Sequence, residues 1–376
     1  YQTIGKAGST PLAMGGGLVN GVLMDDRIGN SQLKWEYTLQ TNVGVDFGLL
    51  SNRISGTVEV FKSHTNDLIL LRNVPRITGS TDTYANMGEL ENQGLEITLK
   101  ATTIERGDFR WETSVAFSSF RSKIIDLYGD KKDDVGNRWF IGEPLGVIYD
   151  YEKIGVWQTG EDPAGWDASA RPGDHKFKDQ LTVDTDNDGV PDATDGIING
   201  DDRIVQGQTS PKWYGGLTNT FHFKNFHLNI FIQTSQGALK NNVDASYADE
   251  RGRRNIPEVV GYWTPENGSN EWPGLAYNNS RGYGYPMNNS YTRIKDITLS
   301  YTFPQALISK AKLSGLTAYI SGRNLYTFTD WIGWDPESNQ TPRGVNNVNS
   351  TTPSLLDGSS AGNSWVNNYP VVRTIA

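Results

Sequence analysis

Apolar and polar side chains alternate with a period of two along much of this chain. Val43, Val45, Phe47 and Leu49 share one parity and Asn42, Gly44, Asp46 and Gly48 the other, while Ile54, Gly56, Val58 and Val60 stand against Arg53, Ser55, Thr57 and Glu59. Leu95, Ile97, Leu99 and Ala101 oppose Glu96, Thr98 and Lys100 in the same way, and Trp111, Thr113, Val115 and Phe117 oppose Glu112, Ser114 and Ala116. Further along, Leu217, Phe221 and Phe223 keep one parity. So do Phe226, Leu228, Ile230 and Ile232, then Ile297, Leu299, Tyr301 and Phe303, then Leu316, Ala318 and Ile320. Successive side chains of a strand point to opposite faces, so each stretch predicts a β-strand with one apolar face. Two more strands are expected, one at 146–158, where a loop hairpin is the alternative, and one at 371–376.

The connections between these strands are sorted by length. Segments 50–52, 102–108, 224–225 and 304–315 are short, and segments 63–93, 121–212, 235–290 and 328–369 are long, in strict alternation. A sandwich or propeller has no reason to sort its loops, whereas an outer-membrane barrel has tight turns at one rim and long extracellular loops at the other. The predicted fold is therefore an all-β transmembrane antiparallel barrel with long extracellular loops. Composition agrees, with 41 glycines, 17 tyrosines and no cysteine among 376 residues. A disulfide framework and a thiolate metal site are thus absent. No apolar run reaches the roughly 18 residues of a helical span, which leaves a β-barrel untouched because its strands alternate. A net charge of -9 speaks against non-specific nucleic-acid binding.

The densest chemistry lies in 172–203. Asp184, Asp186, Asp188, Asp192 and Asp195 occupy positions 1, 3, 5, 9 and 12 of a loop whose sixth residue is Gly189 and whose seventh, Val190, offers its carbonyl. Alternating acidic residues around a turn-forming glycine form the oxygen cage that Ca2+ takes. Position 12 is Asp195 and not a bidentate glutamate, and neither flank has helical periodicity, so the expected role is structural. The competing reading is a solvated acidic loop, in which five aligned carboxylates repel one another without a cation.

No catalytic constellation emerges. His64, His175, His222 and His227 lack metal-ligand spacing, and Gly15, Gly16 and Gly17 read as a flexible loop and not a phosphate cradle. The tryptophans say more, since Trp139, Trp157, Trp166, Trp263, Trp272, Trp331, Trp334 and Trp365 all fall in the long loops. Among Asn, Asp and Arg side chains, aromatic faces suit stacking on sugar rings or apolar peptide side chains. Trp139, Trp166, Trp263 and Trp272 are the candidate ligand contacts, against the alternative that they form the interfacial girdle and small loop cores.

Several blocks carry a family resemblance: NMGELENQGLEITL (86–99), GEPLGVIYDYEKIGVWQ (142–158), PGDHKFKD (172–179), the acidic loop, YTRIKDITLSYTFP (291–304) and SGRNLYTFTDWIGWDPE (321–337). In order and content they resemble the SusC/RagA-type TonB-dependent outer-membrane transporters of Bacteroidetes. The resemblance implies that residues 1–376 form the C-terminal part of a plugged barrel of about 22 strands, with the Asp-rich extracellular loop at 121–212. Plug domain, TonB-contacting segment and first strands have no counterpart in it. It further implies an outer-membrane location in the lipid bilayer and import of a nutrient oligomer, glycan or oligopeptide. A SusD-like surface lipoprotein would cap the loops, and the TonB complex would act through the N-terminal region. The reading from another class is a calcium-stabilised surface adhesin or glycan-binding β protein without transport.

Overall fold

In the computed structural model, the described residues are 7–14, 17–24, 27–75, 77, 82–165, 167–242, 258, 260–333, 335–337 and 372–375. The chain is almost entirely β. It opens with a hairpin of β1 (Ala7–Met14) and β2 (Gly17–Met24), and a two-residue strand β3 (Arg27–Ile28) follows. Then come β4 (Tyr37–Leu49), β5 (Ile54–Asn73), β6 (Asp82–Arg106) and β7 (Phe109–Leu127). A loop segment holds β8 (Val147–Tyr151), β9 (Lys153–Val156), β10 (His175–Phe177) and β11 (Arg203–Gln208) before β12 (Trp213–Phe223) and β13 (Phe226–Gln236). A second one holds β14 (Leu239–Asn241), β15 (Tyr262–Trp263), β16 (Trp272–Gly274) and β17 (Pro286–Asn288). The last strands are β18 (Tyr291–Thr302), β19 (Thr317–Thr329) and β20 (Thr374–Ile375).

All eight strands expected from alternation join one sheet in the order β20-β19-β18-β13-β12-β7-β6-β5-β4, to which β3 adds in parallel on β6. Stretch 146–158 turns out to be loop structure, since β8 pairs with β11 and β9 with β10, away from the large sheet. Gly17 opens β2, so the glycine run there belongs to a hairpin, with 15–16 outside the described residues. By internal contact the chain groups into two units: Tyr1–Val45 with Thr57–Glu96 and Ser119–Leu145, and Asp46–Gly56 with Ile97–Ser118 and Gly146–Ala376.

The apolar faces of the strands are open, and in β4 the polar face is open as well. Val43, Val45, Leu49, Val60, Leu99, Phe223, Phe226, Leu299 and Ile320 are all open, Val43 by 60% of its surface. The buried apolar residues, among them Ile124, Phe140, Val147, Tyr151, Phe177 and Tyr285, lie in loops or at strand ends. A water-soluble protein puts its core against its apolar strand faces; here, among the described residues, no protein core lies against the middle of the sheet, which is the arrangement of a sheet whose apolar face meets hydrocarbon. Packing along that face is close. A Cβ on Gly56 would stand 2.5 Å from the Thr98 carbonyl oxygen, a backbone atom that cannot move aside, and 2.7 Å from the Leu99 side chain, so only glycine fits there.

One sequence expectation fails here for a clear reason. Segment 63–93 is mostly strand and not a long loop, because β5 continues to Asn73 and β6 begins at Asp82. Beyond the apolar band the same face turns polar: Val60 is followed by Lys62 and His64, Leu95 is preceded by Glu91 and Glu89, and Phe117 is followed by Arg121 and Lys123. Cross-strand ion pairs sew these positions together, with Lys62 Nζ 2.8 Å and Lys123 Nζ 3.1 Å from the Glu91 carboxylate and His64 3.4 Å from Glu89. Strands of 19 to 25 residues are about twice the 9 to 11 that span hydrocarbon. Their outer parts therefore extend beyond the length that hydrocarbon can cover, and the parity that is apolar in the inner part carries Lys62, His64, Glu89, Glu91, Arg121 and Lys123 there.

The exposed face generates a direct expectation. In the full-length protein, Val45→Arg should destabilise the folded state in liposomes by about 2–4 kcal/mol, the cost of a cation on a lipid-facing strand at mid-depth. Thr98→Lys, on the opposite face of β6, should cost under about 1 kcal/mol. Urea unfolding followed by heat-modifiable gel migration measures both, and equal losses would contradict the assignment of faces.

Candidate functional site

The long connection after β7 is ordered by a core of its own. Residues 147–151, Val-Ile-Tyr-Asp-Tyr, are buried on nearly every position, the pattern of a strand covered on both faces and not of a membrane strand. β8 pairs antiparallel with β11 (Arg203↔Tyr151, Gln208↔Val147), with a bulge between Val205 and Gly207. β9 pairs with β10 through His175↔Val156. Tyr151, Phe177, Ile198, Tyr283 and Tyr285 form the buried cluster, with Trp272 packed against it. Asp150 is buried too, but its carboxylate accepts from the Tyr151 backbone N–H at 2.8 Å and from Gly284 N–H at 2.7 Å, which ties segment 282–285 to β8.

His175 sits inside this aromatic box. Its ring centroid lies 5.0 Å from Tyr277, 5.4 Å from Tyr283, 5.0 Å from Tyr285 and 5.9 Å from Phe177. Burial, with a smaller push from the Lys153 ammonium, drives its pKa down to about 3, so the ring is neutral at physiological pH.

Two of the expected tryptophans belong to this module. β15 and β16 pair in parallel through Tyr262↔Trp272 and Trp263↔Gly274. Trp263 donates its indole N–H to Gln158 Oε1 at 3.0 Å and leaves no room for a side chain at Gly173, whose Cβ would fall 2.6 Å from the ring. Trp272 stacks on Tyr285 at 6.1 Å and 13°, with Lys153 Nζ 6.0 Å above it. Both residues are half-buried. Trp139 belongs to the other unit, where its backbone closes a turn with Asp134 through hydrogen bonds of 2.8 and 2.9 Å. Trp166 lies outside the described residues.

The acidic loop folds as a small hairpin closed by Val183 and Ala193. Asn187 and Gly189 turn it, with φ of 60° and 90°. Asp184, Asp186 and Asp188 present carboxylate oxygens within 4.8 Å of one another. Asp184 accepts from Gly189 N–H at 2.8 Å, a bond that holds its carboxyl below the usual range and keeps it anionic. The other two predicted carboxylates are turned elsewhere: Asp192 accepts from the Thr185 N–H and hydroxyl at 2.7–3.0 Å, and Asp195 from Ile197 N–H at 2.8 Å. Val190, whose carbonyl was expected as a ligand, is exposed.

One buried charge escaped the sequence reading. Arg293 on β18 is 1% exposed and donates from Nη2 to both Asp335 oxygens at 2.9 Å, from Nε to Thr327 at 2.8 Å, and from Nη1 to Glu337. Glu337 also accepts from the Tyr291 hydroxyl and Lys295. The cause is a bulge between Ile294 and Asp296. It lets Ile294 and Ile297, opposite Ile232 and Ile230, share the apolar face and turns Arg293 to the other side. Plain alternation cannot see such a shift; two acids six and eight residues past the end of β19, in DPE, were the available signal.

Comparison with known proteins now decides the family. Residues 3–325 match the model of the "TonB dependent receptor-like, beta-barrel" family. The chain belongs to the TonB-dependent receptor β-barrel family. It is 32% identical to TonB-dependent receptor P3 of Formosa agariphila over 100% of this chain and 37% of that protein. It is also 25% identical to TonB-dependent receptor SusC of Bacteroides thetaiotaomicron, over 82% of this chain and 30% of that protein. Among solved structures it resembles the RagAB peptide transporter with a TM-score of 0.71 and 25% identity, over 89% of this chain and 36% of that one. These matches make it SusC/RagA-type and an outer-membrane protein. It spans roughly a third of the length of the curated relatives it matches.

For the receptor, the buried His175 sets an acid limit on the loop module. A His held neutral by burial contributes stability that is whole above the unfolded pKa near 6.5 and is lost as pH falls toward 3, because the unfolded chain alone takes up the proton. Loop protection against protease should therefore weaken steadily between pH 6.5 and 4, and His175→Phe should flatten that slope. An unchanged slope in the variant would assign the acid response to other groups.

Proposed function

We propose that this chain is the C-terminal barrel portion of an importer that carries a nutrient oligomer, glycan or oligopeptide, across the bacterial outer membrane in a TonB-dependent manner. A SusD-like surface lipoprotein caps its long loops. TonB acts through the N-terminal region of such receptors. The observation that carries the reading is the pairing, in a TonB-dependent receptor barrel, of an apolar strand face without protein cover and long loops folded around their own core. An empty-walled channel needs no such loops; a receptor that holds a ligand and a cap does. The oligopeptide class has the support of one solved neighbour, which is a peptide transporter. Catalysis has no part in this reading, because the family is one of receptors.

Within this reading, Trp263 and Trp272, with Trp139 and Trp166, offer aromatic surface to ligand or cap. Loss of an aromatic anchor costs about 2 kcal/mol or more, so at least one of the four alanine variants of the full-length receptor should lower uptake of a labelled oligomer or retention of the lipoprotein by roughly tenfold or more. Wild-type uptake should vanish when tonB is deleted. Uptake that survives that deletion would refute import of this kind, and four silent tryptophan variants would return those residues to the loop core.

We also assign one structural Ca2+ to the acidic loop. Asp184, Asp186 and Asp188 are hard oxygen donors already gathered on one side of a glycine turn, and Val190, Asp192 and Asp195 complete the expected set. The ion would replace repulsion among the carboxylates with attraction and so fix the hairpin. Chelation by EGTA should expose 184–195 to protease and Ca2+ should restore protection. Asp184→Asn should weaken Ca2+ binding more than tenfold, and Asp192→Asn, whose carboxylate serves Thr185, by less. Protection indifferent to EGTA would remove the ion from the account.

A further inference from the structure

Beside the two-residue turn that joins β12 to β13, His222 and His227 are direct partners in the ladder. Both point to the polar face, opposite in parity to Phe221, Phe223, Phe226 and Leu228. Their rings meet edge to face, with centroids 4.6 Å apart and planes at 85°, and their two Nδ1 atoms are 2.7 Å from each other. Two imidazole nitrogens at that distance either share one proton or offer two lone pairs to a third body. A neighbour on β7 bears on the choice. Glu112 Oε2 lies 3.3 Å from His222 Nε2, while Glu112 Oε1 accepts from Arg110 Nη2 at 2.6 Å. A carboxylate that accepts from Nε2–H holds His222 in the tautomer whose Nδ1 carries the lone pair, and this is the outer support that metal-binding histidines use.

We propose that His222 and His227 form a transition-metal site that takes Zn2+, Ni2+ or Cu2+ through both Nδ1 atoms, with Glu112 as the positioning residue. Imidazole nitrogen selects these ions over Ca2+, which takes oxygen, so the site is chemically separate from the acidic loop. With Zn–N bonds of about 2.0–2.1 Å, two nitrogens on a tetrahedral ion stand about 3.3 Å apart. The pair has to open by roughly half an ångström, a small side-chain rotation for rings that are not buried. Solvent reaches His222, whose side chain is 31% exposed, and water would fill the remaining positions. A bound ion would clamp the two strands across their turn. The proposal stands apart from the import reading, because it concerns the polar face beside a turn and neither ligand nor cap.

The test uses the full-length receptor in detergent, stripped with EDTA and then titrated with Cu2+ or Zn2+ in the presence of excess Ca2+. Cu2+ electron paramagnetic resonance should show two imidazole nitrogens on one ion. His222→Gln and His227→Gln should each abolish the two-nitrogen signal and weaken binding at least tenfold, while His64→Gln leaves it intact. Glu112→Gln should weaken affinity by about 10- to 100-fold yet keep the two-nitrogen spectrum at saturation, which a merely structural loss would not do. Heat-modifiable migration verifies that each variant is folded, and the wild-type spectrum is informative even where one variant is not. A wild-type spectrum with fewer than two imidazole nitrogens, or one that persists in either histidine variant, overturns the site.

Discussion

Everything in this molecule follows from an apolar strand face that no part of the described chain covers. Val43 and Val45 are open by 60% and 59% of their surface, in the middle of a regular strand. At about 25 cal/mol per Å2, such a face is a large penalty in water and none in lipid. The medium thereby takes the role that a packed core has elsewhere. Hydrocarbon then imposes its own condition: backbone groups within it must pair, so the strands have to lie in one continuous ladder. The nine-strand path from β20 to β4 is that ladder.

Where the lipid stops, stability has to come from other sources, and three are visible. On the strands, cross-strand ion pairs such as Lys62–Glu91–Lys123 succeed the apolar band. Exposed pairs of this kind are worth at most about 1 kcal/mol each, so their contribution is to register more than to stability. In the loops, aromatic packing does the work, with Tyr151, Phe177, Tyr283 and Tyr285 closed around a neutral His175. The buried Arg293 is a third device. Its guanidinium reaches two acids from beyond β19, so removal of either acid would leave a charge without its partner in a site 99% closed to solvent.

How far this was legible in the sequence depended on how local each signal was. The face of a strand residue is fixed by its parity alone, so eight strands could be read from side-chain type one at a time. The outer halves of β5 and β6 could not, because Lys62, His64, Glu89 and Glu91 are polar where the inner halves are apolar, and the run Leu68, Ile69, Leu70, Leu71 is apolar at both parities, so the alternation breaks there. The bulge at 294–296 hid Arg293 by moving the parity by one. His222 and His227 were separated by too few residues to suggest a binding motif, yet a two-residue turn sets residues five apart directly opposite. The three gathered aspartates were readable from spacing, but the capture of Asp192 by Thr185 was not, since a hydroxyl one residue from Asp184 competes for the same carboxylate.

The lipid-facing strands and the loop module have different melting behaviour, because their released backbone groups meet different media. Strands in hydrocarbon cannot open singly, because every released N–H would face lipid at a cost of several kcal/mol. The loop module has no such restraint. Its strands are three to six residues long, its core is a handful of rings, and its backbone opens into water, where released groups are solvated. Local opening therefore belongs to the loops at free energies well below that of the barrel. Such opening leaves the hydrogen-bonded ladder of the sheet fixed. The acid sensitivity of His175 falls in the loop module, so a drop in pH acts on the loops before it reaches the sheet.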